Sequence, residues 1–182
     1  MAEVIAVKSN VKELLRKYRV LENKIPRAVK FAINKTGGKL KTDTSKYIRE
    51  QITVSKKKVD SRLPTFIANI HKLAYTIRAT KKPFHVLDFK NPKQTKAGLS
   101  FKYSPTQPRK TIKGGFIAEV RQRSFRGAFK RKGKARLPIK RLVSTGVNDV
   151  VKDRSYKSRM KRLAGKDFPE QLTKQLKRFM YS

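Results

Sequence analysis

Side chains able to do chemistry are few in this sequence. It holds two histidines, His71 and His85, and no cysteine. Without thiols there is no disulfide, thiolate metal site or cysteine nucleophile. The histidines read as ordinary packed or surface side chains. The acids that would have to serve a nuclease are Asp88, Glu119, Asp149 and Asp153. A two-metal site needs such acids converging on one point, and nothing in their spacing gathers them. Neither Ser144-Thr145-Gly146 nor Gly114-Gly115 makes a phosphate loop, because the Gly-Lys-Ser/Thr ending is absent. No expected catalytic residue, metal or cofactor emerges.

Positive charge is what the sequence has in excess. Lys and Arg number 48 against 12 acids in 182 residues, a formal charge of +36. Self-repulsion on that scale opposes compaction, so counter-ions, an anionic partner or assembly are expected to offset it. The charge is uneven. Between Phe89 and Asn148 the only carboxylate is Glu119. The densest stretch is Arg121 to Arg136, where Phe125 and Phe129 interrupt the bases. The candidate contacts to nucleic acid or an acidic partner are Arg121, Arg123, Arg126, Lys130, Arg131, Lys132, Lys134 and Arg136. Each phosphate they neutralise would release counter-ions and steepen the salt dependence of binding. No zinc finger, basic zipper or RNA-recognition signature is present, so binding is expected to ignore base sequence. The triplet Lys56-Lys57-Lys58, by contrast, reads as a solvated face.

The elements that must carry this charge read as helices, then strands, then a helix, an α+β order. Asn10 with Glu13 has capping-box spacing, and Val11, Leu14, Leu15, Tyr18 and Leu21 follow at helical intervals. Pro26 suits the first turn of a second helix. Val29, Ile33, Leu40, Tyr47, Ile48 and Ile52 extend an apolar stripe, and Gly37-Gly38 marks a bend or a close backbone contact within it. Ser55 is the expected N-cap of a short third helix, with Val54 and Val59 as its hydrophobic staple. Residues 66–70, 73–79, 84–89, 99–103 and 116–120 read as strands, separated by Pro- and Gly-containing turns. Phe125 to Lys130 is predicted to pair with Leu137 to Ile139 across a basic loop, with Pro138 keeping that strand at an edge. Asp167 and Glu170 predict the start of the last helix. The expectation is an N-terminal helical region over 1–64, a basic β-rich small antiparallel sheet or barrel with long loops over 65–163, and a C-terminal helix over 164–182. All three are expected in one structural unit. No apolar run approaches the roughly 20 residues that cross a bilayer, and the start lacks a signal pattern. No membrane partner is expected.

Two segments carry a family likeness. One runs Ala28-Val29-Lys30-Phe31-Ala32-Ile33-Asn34-Lys35-Thr36 and on through Tyr47-Ile48-Arg49-Glu50 to Val59. The other is Gly127-Ala128-Phe129-Lys130-Arg131-Lys132-Gly133-Lys134-Ala135-Arg136-Leu137-Pro138-Ile139. Together they resemble the minor tail protein Z family of long-tailed phages, also called tail completion proteins. The likeness spans roughly residues 28–150. It departs at Val143-Ser144-Thr145-Gly146-Val147, where the family often runs Gly-Pro-Ser-Val. The resemblance implies a virion structural protein, made in the host cytoplasm and placed at the head-proximal end or neck of the tail. It implies a homo-oligomeric ring, with tail-tube, terminator or connector proteins as neighbours and the DNA end within reach. Composition alone leaves a second reading open, a sequence-independent nucleic-acid-binding protein of ribosomal or nucleoid type.

Overall fold

The computed structural model describes the backbone of residues 2–120 and 125–180, and side chains within 24–119 and 125–179. The elements in chain order are α1 (Ala2–Gln51), α2 (Lys56–Asp60), β1 (Thr65–Phe66), β2 (Thr76–Ile77), β3 (Pro83–His85), β4 (Lys90–Thr95) and β5 (Gly98–Lys102). They continue as β6 (Lys110–Lys113), β7 (Gly115–Val120), β8 (Phe125–Arg131), β9 (Ile139–Arg141), β10 (Val143–Gly146), α3 (Val147–Val151) and α4 (Arg154–Met180). The class is α+β, as expected: helices at both ends and small antiparallel sheets between. The chain divides into two compact units, one of residues 1–40, 65–77 and 161–182, the other of 41–64 and 78–160.

Helix boundaries differ from the sequence expectation. A single helix runs through Asn10, Pro26 and Gly37-Gly38, where two helices and an interruption were expected. Pro inside a helix costs about 3 kcal/mol, and local signals of this kind yield when packing fixes the helix from outside. Here Ala28 and Ala32, one turn apart just past Pro26, are fully buried. Likewise α4 starts at Arg154 and passes through Asp167 and Pro169. Asp167 is thus an interior residue, and it pairs with Lys39 at 3.4 Å.

The first unit uses small side chains to bring elements close. Asn34 holds the β1–β2 loop by both ends of its amide: Nδ2 donates to the Ala68 carbonyl at 3.0 Å, and the Ala68 N–H donates to Oδ1 at 2.7 Å. Gly37 lies against the Tyr75 ring so closely that a methyl there would overlap it. The Gly pair is therefore a close contact and not a bend. Phe31 of α1 stacks on Phe179 of α4, with centroids 5.8 Å apart.

The second unit holds the larger core. Ile48, Ile52, Val59, Leu63, Phe84, Val86, Leu99 and Val147 are almost wholly removed from water. Each such side chain contributes roughly 1.5–3 kcal/mol of hydrophobic stabilisation. Ser55 does precede α2, and Val54 and Val59 are both buried, although the Ser55 hydroxyl makes no capping bond. The sheets are β3–β10, β4–β5–β6 and β7–β8–β9, each antiparallel. Asn91-Pro92, expected as a turn, lies inside β4. The register shifts between Lys90 and Lys93, and Asn91 takes a positive φ of 52°. A bulge at that point spares the ladder the N–H that Pro92 lacks. Strand β6 carried no sequence expectation at all.

Candidate polyanion-binding site

The basic stretch is held by the β7–β8–β9 sheet. Phe116 pairs with Phe129, Ala118 with Gly127 and Glu119 with Arg126 across β7 and β8. Phe129, Lys130 and Arg131 of β8 pair with Arg141, Lys140 and Ile139 of β9. A β8–β9 hairpin is present, but its second strand is shifted by two residues from the expected Leu137 to Ile139, so that Leu137 and Pro138 belong to the loop and β9 lies at the edge just after them. Residues 132–138 form its loop, closed where the Lys132 N–H donates to the Pro138 carbonyl at 3.0 Å.

The middle of β8 is anchored and its ends are wet. Ala128 and Phe129 are buried, whereas Arg126, Lys130 and Arg131 are exposed. Lys132, Lys134 and Arg136 are exposed on the loop. Arg121 and Arg123 lie outside the described residues. So six of the eight expected cations stand on one ribbon. Among the described residues, none of the six makes an ion pair. Lys130 faces Lys140 directly across the ladder, a like-charge placement that costs stability. Arginines at the ribbon also lean on its rings: the Arg131 guanidinium is 5.7 Å from the Phe116 centroid, and that of Arg141 is 4.1 Å from Phe125. Such contacts fix a guanidinium plane without neutralising it.

Glu119 stands across the ladder from Arg126 with no ion pair among the described residues, and five other acids of the second unit have partners of their own. Asp60 accepts from the Ser45 hydroxyl at 2.6 Å. Asp88 pairs with Lys58 and accepts the His85 N–H at 3.0 Å. Asp149 accepts the Gly146 N–H at 2.9 Å, at the start of α3. Asp153 accepts from Ser155 and from Tyr47, and these hydrogen bonds hold its carboxyl below the usual range. Glu50 meets Arg159 at 3.0 Å. Apart from Glu119, each of these acids has a structural partner, and among the described residues no three His, Cys, Asp or Glu side chains gather around one point. His85 is a packed side chain whose Nδ1 is buried without a partner; burial first, and then Arg141, push its pKa down. His71 is exposed.

Lys96 and Lys140 were not among the expected contacts, yet they stand beside the ribbon's cations. Lys140 follows from the β8–β9 register. Lys96 sits in the two-residue turn between β4 and β5, which the sequence marks with Thr95-Lys96-Ala97-Gly98. That hairpin signal was readable, but its neighbour in space was not.

Among the described residues, no helix is long and apolar enough to cross a membrane. No curated protein and no solved structure matches the chain. The family described as prophage minor tail protein Z (GPZ), a structural family and not one of enzymes, matches residues 8–181, nearly the full length. The chain therefore belongs to the prophage minor tail protein Z family and is a structural protein of the phage tail, carried in the virion in association with other tail proteins.

Proposed function

We propose that this tail protein completes the head-proximal end of the tail as a homo-oligomeric ring, and that its β8–β9 ribbon grips the phosphates of the DNA end without reading sequence. The position and the ring rest on the family likeness. The grip rests on one observation: Arg126, Lys130, Arg131, Lys132, Lys134 and Arg136 are exposed on a single ribbon and unpaired. A structural protein gains nothing from such a placement unless an anion meets it, since like charges along a ribbon repel. The surface binds and holds; it performs no reaction.

Duplex binding measured across a salt series tests the grip. Changing the six residues to Ala should weaken binding and flatten the slope of log K against log salt by on the order of 0.9 for each phosphate no longer neutralised. An unchanged slope would mean that the ribbon meets an acidic tail, terminator or connector protein and not DNA.

A further inference from the structure

Beside the ribbon, in the second unit, lies an open cleft of about 560 Å³. Three separate segments build it: the β4–β5 turn, the β6–β7 turn, and the end of β8 with the first part of the β8–β9 loop. Its cations are Lys96 from the first and Lys130, Arg131 and Lys134 from the third. Among the described residues, no carboxylate lines it. Gly98 has a φ of 132° and stands where the Ile112 carbonyl leaves no space for a Cβ, whereas Gly114, at φ 68°, has only the far end of Lys130 near the place of its missing Cβ.

The Gln94 amide oxygen and the Thr95 hydroxyl proton are already engaged. Gln94 accepts the Ile117 N–H through Oε1 at 3.0 Å, and the Thr95 hydroxyl donates to the Gly98 carbonyl at 2.8 Å. What remains for a ligand is charge from two separate segments, and backbone at Gly114. That chemistry suits a phosphate with oxygens in several directions. It is more room, and more charge, than one flat side-chain carboxylate needs.

We propose that this cleft is a seat for the sugar–phosphate backbone of DNA, with Lys96 of the β4–β5 turn adding to the ribbon's cations; this rests on the reading that the ribbon meets DNA. Lys96 is thereby a binding residue that belongs to the site although it lies outside the ribbon.

The test uses the full chain, a short labelled duplex and a salt series. Two variants address the cleft from different turns: Lys96→Ala, and Gly133→Asp, where an added Cβ meets open space. Lys132→Ala with Arg136→Ala removes ribbon charge outside the cleft lining. The expected result is that Lys96→Ala weakens duplex binding several-fold and lowers the salt slope by about 0.9, with a larger loss for Gly133→Asp. If both cleft variants bind like the parent while the ribbon variant is weakened, the seat is wrong and the ribbon reading stands. If the parent binds polyglutamate and not the duplex, both are wrong. If inorganic phosphate or a mononucleotide displaces the duplex at micromolar concentration, the cleft serves a small phosphorylated ligand and the DNA assignment is overturned.

Discussion

At the scale of single residues, the family-like segment Ala32-Ile33-Asn34-Lys35-Thr36 acquires a physical meaning. Ala32 is fully buried, Asn34 clamps Ala68, and Thr36 is buried beside the close approach at Gly37. The sequence marked the segment but could not say what Asn34 holds, because its partner is far along the chain. Asn34→Ala strands the N–H and carbonyl of Ala68, which is 3% exposed. The expected cost is about 1–3 kcal/mol for each polar group left unpaired, read as a lower urea midpoint. His85 gives a second prediction. Its folded pKa lies below 6.5, lowered first by burial and then by Arg141, with Arg62 and Lys58 adding and Asp88 opposing. The unfolded chain therefore takes up the proton first as pH falls. Stability should be full above the ordinary value of 6.5 and decline as pH drops from there toward the folded value. His85→Gln should flatten that decline in urea melts across the window; an unchanged profile would assign the pH dependence to other groups.

At the scale of elements, legibility followed locality. The β8–β9 hairpin was readable because its strands and loop are contiguous in the chain, although its second strand begins two residues later than expected and leaves Pro138 in the loop. The α2 start at Ser55 was readable for the same reason. Strand β6 and the bulged β4 were not, since both depend on pairing with β5 and neither is marked by alternation. The continuity of α1 and the early start of α4 were hidden by Pro26, Pro169 and the capping-box spacings, whose local cost is outweighed by burial across the fold. The hairpin carries its own prediction. Lys140→Glu converts the Lys130–Lys140 pairing into an opposite-charge pair, worth roughly 0.2–1 kcal/mol of added stability. The same change should weaken duplex binding. Higher stability with weaker binding, from thermal melts and anisotropy, would show that the ribbon sacrifices stability for an anion. A decrease in both would show that Lys140 has a structural partner.

At the scale of the whole molecule, the composition had already announced the theme. A charge of +36 calls for counter-ions, an anionic partner or assembly to offset it. The family match over residues 8–181 places that charge in a phage tail. Six of the eight expected cations lie among the described residues, and all six stand on one ribbon, because a single hairpin carries them. Lys96 escaped the sequence reading because its place beside that hairpin is set by the sheets and not by the chain order. The most direct measurement is cryo-electron microscopy of the intact particle. The account predicts this chain as a ring at the head-proximal end of the tail, with the loop from Lys132 to Pro138 against DNA density. A ring at that place with its loops seated on acidic protein would contradict the DNA grip, and absence of the chain from that end would contradict the account as a whole.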